Sequence, residues 1–376
     1  MWNTLWRDEA RPHRNMPRSA PSPPSPGFLL IDRHIEKNAG STFRELLWQA
    51  ESNGRCLYMG YLLRSAAWSA MMSAMHNLTA GSLPPRVCVE AHTGIDQVKP
   101  WLDRLEDVAR LRLDLAQHRV PMRILLNLRL REPLSFYLSF YLWAVVERQH
   151  RAPARFGSSF EQWLRGVPNL QSELVLSSKA AATAGYAPIH HPDLRAWRER
   201  WAAGMVSERA ALVWRTVRQF DLLGVTDLFD ESNLLLARAL GWDPADAATP
   251  LTPHEIPQAG KSCNMNTLMQ KRAQGRMRDL PWWCRDPWKK PASAERERVE
   301  GRVCPNRTLC EELVREVAPL DVALYTHAKQ RVRNDTSAAG GEFESQMRKL
   351  RRAKTWIHPV TCEWRRAPAT RPPPPA

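Results

Sequence analysis

The stretch FLLIDRHIEKNAGSTFRELL, residues 28–47, decides the fold of this chain. Its first five residues form an apolar run of strand length, and apolar residues at helical spacing follow from Thr42 onward. The polar loop between them holds one lysine, one glycine and the hydroxyl of Ser41. A strand, a polar loop and a helix start in this order are typical of open parallel sheets, whose ligands bind at the carboxyl ends of the strands.

Three more apolar runs of strand length precede polar residues and helical patterns. Such runs, alternating with helices, predict a parallel sheet covered on both faces and therefore an α/β fold. The predicted strands are residues 28–32, 86–91, 123–128 and 220–225, and the predicted helices are residues 42–50, 134–147, 231–240 and 310–329.

The composition of the two ends predicts a single folded domain between two tails. Both ends are rich in proline and basic residues, which bury too little apolar surface to offset the entropy lost on ordering. We therefore predict a disordered tail over residues 1–26, one domain over 27–335 and a basic, Pro-rich tail over 336–376. Residues 242–300 contain many prolines and a Trp-rich stretch, and we expect them to be a loop-rich part of that domain.

The net charge and the motifs of the sequence limit the classes of partner that the protein is expected to bind. The chain has 54 Lys and Arg against 39 Asp and Glu, a net charge of +15, which favours polyanionic partners. No recognised nucleic-acid-binding motif occurs, so nucleic acid is not a predicted partner. The seven cysteines form no C-x-x-C pair, so no metal is predicted. No apolar run approaches the roughly 18 residues that span a bilayer, so any membrane attachment would need an anchor that this sequence does not show.

Two loops have the composition of anion sites. In the first, Lys37 and the hydroxyls of Ser41 and Thr42 lie at a helix start, where free N–H groups attract anions. An N-capped helix behind an exposed lysine explains this loop equally well. In the second loop, Arg131 precedes a Glu-Pro helix start and offers the fork geometry that clamps phosphate. Two anion sites after two strands predict a ligand with two separated phosphates.

At these motifs the sequence resembles the carbohydrate sulfotransferases that use 3′-phosphoadenosine 5′-phosphosulfate, the group that modifies heparan, dermatan and chondroitin chains. HIEKNAGST, residues 34–42, is similar to the family's H-I-P-K-T-G-G-T-[ST]. REPLSFYLSFY, residues 131–141, is similar to R-[DE]-P-x-x-R-x-x-S-x-Y. Further similar segments follow in the family's order, namely SFEQWL at 159–164, NLQSELV at 169–175, LLGVTDLFDESNLLL at 222–236 and LDVALYTHA at 320–328.

The resemblance implies a P-loop-NTPase-like three-layer fold and binding of the sulfate donor as co-substrate. It implies that the first loop holds the 5′-phosphosulfate and the second the 3′-phosphate. The donor-binding residues it implies are Lys37, Asn38, Ala39, Gly40, Ser41, Thr42, Arg131 and Ser139. Three positions depart from the family motifs, because Glu36 replaces a proline, Ala39 a glycine and Phe136 an arginine.

Transfer of a sulfuryl group to a hydroxyl needs a base for the hydroxyl proton. His92 follows the strand at 86–91, where heparan- and dermatan-modifying members have a histidine, and imidazole titrates near neutral pH. Glu90 and Asp96 are the alternatives. Lys37 would neutralise the charge that develops on the departing 5′-phosphate, an electrostatic contribution that is usually the largest in catalysis.

We therefore expect an enzyme, a sulfotransferase acting on a hydroxyl of a glycan, with an acidic chain as the favoured acceptor because the protein is basic. The resemblance further implies a location in the Golgi lumen. The alternative is a polyanion-binding protein on the same fold, in which Glu36, Ala39 and Phe136 mark a donor site that has lost its activity.

Overall fold

Five parallel strands form the centre of the protein. The computed structural model describes residues 27–61, 65–79, 84–91, 101–146, 159–177, 180, 183–184, 191–202, 206–244 and 300–356. The strand order is β2-β3-β1-β4-β5, and all neighbouring pairs run parallel. The strands are β1 (Gly27–Arg33), β2 (Leu57–Tyr61), β3 (Arg86–Ala91), β4 (Met122–Leu130) and β5 (Leu222–Val225). The predicted α/β class is confirmed.

The central strand, β1, is buried along its whole length. Its Asp32 lies beside Glu90 of β3 and Asn127 of β4, so the carboxyl ends of these three strands meet at one edge of the sheet. The four predicted strands are all present. The strand that sequence reasoning missed, β2, is a five-residue edge strand that contains Gly60, and its register with β3 shifts between Tyr58 and Tyr61.

Helices connect the strands and cover both faces of the sheet. They are α1 (Gly40–Ser52), α2 (Ser65–His76), α3 (Trp101–Gln117), α4 (Pro133–Tyr141), α5 (Phe160–Gly166), α6 (Leu170–Leu176), α7 (Pro192–Ala202), α8 (Val206–Val217), α9 (Phe229–Leu240), α10 (Arg307–Val317), α11 (Pro319–Ala338) and α12 (Gly340–Trp356).

Alternate residues of β1 face two separate parts of the core. Phe28 and Leu30 pack with buried residues of α1, α9 and α12. Leu29 and Ile31 face the opposite way and pack with the larger cluster, to which α2 to α8, α10 and α11 contribute. This alternation is the period of two that a strand imposes. The result is a sheet between two helical layers.

Two predicted helices differ in detail. The predicted helix at 310–329 is two helices, since α10 ends at Val317 and α11 begins at Pro319, whose ring suits a first helical position and cannot continue the preceding helix. The predicted helix at 134–147 is regular only to Tyr141 and continues as a wider π-helical turn over Leu142–Val146.

The predicted domain boundary at residue 335 is wrong, because it falls inside α11 and the helical structure continues through α12. Phe343, Met347 and Leu350 of α12 are at most 2% exposed and pack with the core beside α1 and α9. Their spacing of four and three residues places them on one face of an otherwise basic helix. The predicted tail at 1–26 and most of the segment 242–300, with its Trp-rich stretch, lie outside the described residues.

Two disulfides join Cys56 to Cys88 and Cys304 to Cys310. The first links the residue before β2 to the middle of β3, and the second links Cys304, which precedes α10, to Cys310 in the first turn of α10. Neither pairing follows from the sequence spacing. Among the helices that the structure describes, none combines the length and the apolar character required to cross a membrane.

Candidate functional site

The loop between β1 and α1 makes a tight turn at the carboxyl edge of the sheet. Lys37 and Ala39 have φ angles of 68° and 60°, a left-handed conformation that costs a residue with a side chain roughly 1–2 kcal/mol. The turn includes a hydrogen bond from the Asn38 amide to the Ile35 carbonyl, at 3.3 Å. The N-cap residue of α1, Ala39, has no polar side chain. The first N–H groups of α1 therefore start this helix without a side-chain cap from that position.

The single glycine of the loop is required by a histidine. A Cβ atom added to Gly40 would lie 1.4 Å from Cε1 of His34, so the imidazole ring occupies the space of any side chain there. His34 itself is 8% exposed, and its Nδ1 lies 3.7 Å from Oε2 of Glu90 on β3. The space beside Gly40 is thus filled by a protein side chain.

Asn38 anchors the loop to the interior of the protein. Its Nδ2 donates to the Arg129 carbonyl at 2.8 Å and to Oε1 of Gln171 at 3.0 Å, and the side chain is 2% exposed. Through this amide nitrogen the Asn38 side chain holds the loop against the protein.

The second predicted loop touches the first. Nη1 of Arg131 donates to the Lys37 carbonyl at 3.0 Å. Glu132 caps α4 by accepting from the amides of Leu134 and Ser135, at 3.0 and 2.7 Å, and Pro133 takes the first helical position. This N-cap explains the Glu-Pro pair in structural terms. The structure therefore brings Lys37 and Arg131, 94 residues apart in sequence, to adjoining loops.

The remaining predicted donor-binding residues differ in exposure. Lys37 is half-buried, and its Nζ lies 5.6 Å from the centre of the Trp143 ring, within the range of a cation–π contact. Thr42 and Ser139 are 9% and 7% exposed. The backbone of Ser41 lies in α1, and its side chain is outside the described part of the structure.

Phe136 occupies the core and not the loop surface. It is fully buried, with ring centroids 5.4 Å from Tyr137 and 5.8 Å from Phe140. An arginine in this place would bury a charge among aromatic rings, at a large desolvation cost. The departure from the family motif at this position is therefore matched by an apolar environment.

Gln171, at the start of α6, connects both loops, and sequence reasoning gave it no role. Its Oε1 accepts from Nδ2 of Asn38 at 3.0 Å and from the Arg131 amide at 2.7 Å. Its Nε2 donates to the Arg131 carbonyl at 3.0 Å. The sequence signal for it was an amide side chain inside the motif-like segment NLQSELV.

Glu90 is buried at the end of β3 and paired with Arg44. It is fully buried, and its Oε2 accepts from Nε and Nη2 of Arg44 at 3.1 and 2.6 Å. Burial raises the pKa of Glu90 to about 7, although the charge of Arg44 opposes that rise. A carboxylate held in this way has no access to an acceptor hydroxyl, so the structure argues against Glu90 as the base. The other two candidates, His92 and Asp96, lie outside the described residues.

A second buried ion pair lies beneath the loop. Nη2 of Arg129 on β4 donates to Oδ2 of Asp32 on β1 at 2.7 Å, and Nδ2 of Asn127 donates to Oδ1 of the same carboxylate. Burial raises the pKa of Asp32, while the charge of Arg129 lowers it. The Arg129 guanidinium also lies 3.4 Å from the centre of the Phe43 ring in α1. Charged residues inside apolar strands were the sequence signal for this pair.

Glu36, which stands in place of the motif proline, is 8% exposed. Burial raises the pKa of Glu36 to about 7, and the nearby charge of Arg33 opposes the rise. At neutral pH this carboxyl group is therefore only partly ionised, which reduces the repulsion that it would exert on an anion in the loop.

No protein-family model, curated protein or solved structure matches this chain. Within the described ranges, no three His, Cys, Asp or Glu residues come together as a metal site would require. The function is therefore inferred from the residues of the two loops.

Proposed function

We propose that the protein is a sulfotransferase that moves a sulfuryl group from 3′-phosphoadenosine 5′-phosphosulfate to a hydroxyl of a glycan. The observation that carries this proposal is the contact between the two cationic loops, with Nη1 of Arg131 3.0 Å from the Lys37 carbonyl. The loops follow β1 and β4, which are neighbours in the sheet. Two adjoining loops with one cation each suit a nucleotide that carries two separated phosphates.

In this proposal each loop binds one end of the donor. Lys37 and the N-terminus of α1 hold the 5′-phosphosulfate, since the helix dipole and the ammonium both favour an anion there. Arg131 and Ser139 hold the 3′-phosphate. The loop after β1 and the helix that follows it would then form a P-loop-like cradle.

The reaction is an in-line displacement at sulfur. The acceptor oxygen forms a bond to sulfur while the bond from sulfur to the 5′-phosphate oxygen breaks, and adenosine 3′,5′-bisphosphate leaves. The hydroxyl proton passes to the base, for which His92 remains our proposal. Lys37 stabilises the negative charge on the departing phosphate oxygen, and fixed groups of this kind act without reorganisation during the reaction. The net charge of +15 favours an acidic glycan as acceptor.

A second candidate is a polyanion-binding protein without transferase activity. Phe136 in the aromatic core and Glu36 in the loop favour it, because each replaces a residue of the donor-binding motifs. This candidate predicts binding to heparin-like chains that Lys37→Ala leaves unchanged, together with no affinity for the donor.

The decisive experiment is incubation of the protein with sulfate-labelled donor and a panel of glycans. We expect label in at least one glycan and a higher melting temperature in the presence of adenosine 3′,5′-bisphosphate. A protein that labels no glycan and gains no thermal protection from the nucleotide would contradict the sulfotransferase proposal.

A further inference from the structure

Gln171 lies between the two cationic loops, and we propose that it is a positioning residue that makes them a single binding site. The inference rests on the proposed function, because it concerns how the two phosphates of the donor are bound together. One side chain makes three hydrogen bonds, two of them to the backbone of Arg131 and one to Asn38. Since Gln171 is 1% exposed, water does not compete for these bonds.

The hydrogen bonds of Gln171 hold the first loop at Asn38 and the second loop at Arg131. Asn38 is the neighbour of Lys37 and also bonds to the Arg129 carbonyl, so the first loop is held against β4 and α6 together. The amide and the carbonyl of Arg131 both bond to Gln171, which sets the direction in which the backbone leaves β4. A displacement of either loop would therefore break bonds to the same amide group.

The backbone of Gln171 is itself held by the buried carboxylate of Asp321. Asp321 of α11 accepts from the amides of Gln171 and Ser172, at 3.0 and 2.7 Å, and from the Tyr137 hydroxyl of α4 at 2.7 Å. In return, Oδ1 of Asn169 accepts from the Leu320 amide at 2.9 Å, so α6 and α11 cap each other. The position of Gln171 is thus set by α4, α6 and α11 before any ligand arrives.

Preorganisation of this kind has a specific consequence for affinity. A ligand that touches both loops gains from their fixed separation, because the cost of ordering them is met during folding. A ligand that touches one loop gains little from it. Loss of the Gln171 bonds should therefore weaken binding of a bisphosphate more than binding of either monophosphate.

The test is calorimetric titration of the full chain with adenosine 3′,5′-bisphosphate, 5′-AMP and 3′-AMP. For Gln171→Leu we expect roughly a 10- to 100-fold loss of affinity for the bisphosphate, because the fixed separation of the two loops is lost, and at most about a 3-fold loss for each monophosphate. Gln171→Glu keeps both acceptor bonds and should lie between the wild type and Gln171→Leu. Gln219→Leu, the same change at an exposed site, serves as control.

Equal losses for all three nucleotides, or a loss for the bisphosphate below about 3-fold, would overturn the positioning role. If the wild type binds no bisphosphate, the proposed function fails, and hydrogen exchange of the unliganded protein then decides about Gln171. Faster exchange of both loops in Gln171→Leu than in Gln219→Leu supports the coupling, and unchanged exchange in either loop refutes it. Should Gln171→Leu not fold, Gln171→Glu carries the same comparisons.

Discussion

Two groups of charged residues at the carboxyl edge of the sheet differ in how deeply they are buried. At the ends of β1 and β4, the loop residues Lys37 and Arg131 are half-buried, and their loops touch. At the end of β3, Glu90 is fully buried and is paired with Arg44. The half-buried cations could meet an anion, whereas the buried carboxylate is neutralised by its partner beneath them.

The largest expected effect is at Lys37, on the cationic side. In Lys37→Ala the charge on the departing phosphate loses its partner, so we expect kcat for sulfuryl transfer to fall by about 10²- to 10³-fold. The measurement is the initial rate at saturating donor with the best acceptor from the glycan panel. The matched control is Lys349→Ala, which removes an exposed lysine of α12 that pairs with Asp243. This variant should retain activity. Equal rates in the two variants would contradict the role of Lys37.

Arg44→Met tests the buried pair of Arg44 and Glu90. The variant leaves the Glu90 carboxylate buried without its partner, and we expect a loss of about 3 kcal/mol in the free energy of unfolding at pH 8. At pH 5.5 the loss should be smaller, because Glu90, whose pKa is already near 7, is then protonated and neutral. Urea unfolding at both pH values measures this. The double variant Arg44→Met/Glu90→Gln should recover stability at pH 8, and failure to do so would show that Arg44 acts through other contacts.

Gly40→Ala asks whether packing explains the single glycine of the loop. The new methyl group collides with the His34 ring, and we expect about 2 kcal/mol of destabilisation. His34→Ala alone and the double variant His34→Ala/Gly40→Ala complete the cycle, measured by thermal unfolding. If the second substitution costs as much in the His34→Ala background as in the wild type, the collision is not the cause.

The smallest expected effect is at Glu36. The pKa of this group in the folded protein, about 7, is above its ordinary value near 4.5, so the folded state binds the proton more tightly than the unfolded state does. The stability that this protonation provides is present below pH 4.5 and is lost as the pH rises to about 7. Glu36→Gln should therefore be more stable than the wild type at pH 8 and should match it at pH 4.5. A constant difference between melting temperatures over this range would contradict the expected titration.

The sheet could be predicted wherever a strand contains a short continuous apolar run, as β1 does at 28–31, β3 at 87–89 and β4 at 124–126. The exceptions have physical reasons. The edge strand β2 is only five residues long and contains a glycine, around which its register with β3 shifts. The helix α12 resembles a basic tail in sequence because, among its side chains at 340–352, only Phe343, Met347 and Leu350 are buried.

The residues of the candidate site also differ in how far the sequence predicts them. Lys37 and Arg131 stand in local motifs, which the sequence displays directly. The contacts of Gln171 with Asn38 and with Asp321 join residues 133 and 150 positions apart, and no local pattern marks such pairs. The burial of Glu90 and its hydrogen bond to Arg44 likewise depend on the packing of α1 against β3.

The central claim is that the loops after β1 and β4 bind one nucleotide through its two phosphates, and a structure of the protein with adenosine 3′,5′-bisphosphate tests it most directly. We predict one phosphate within hydrogen-bond distance of Lys37 and the first turn of α1, and the other within reach of Arg131 and Ser139. A nucleotide bound elsewhere, or one that touches only one of the two loops, would contradict the account.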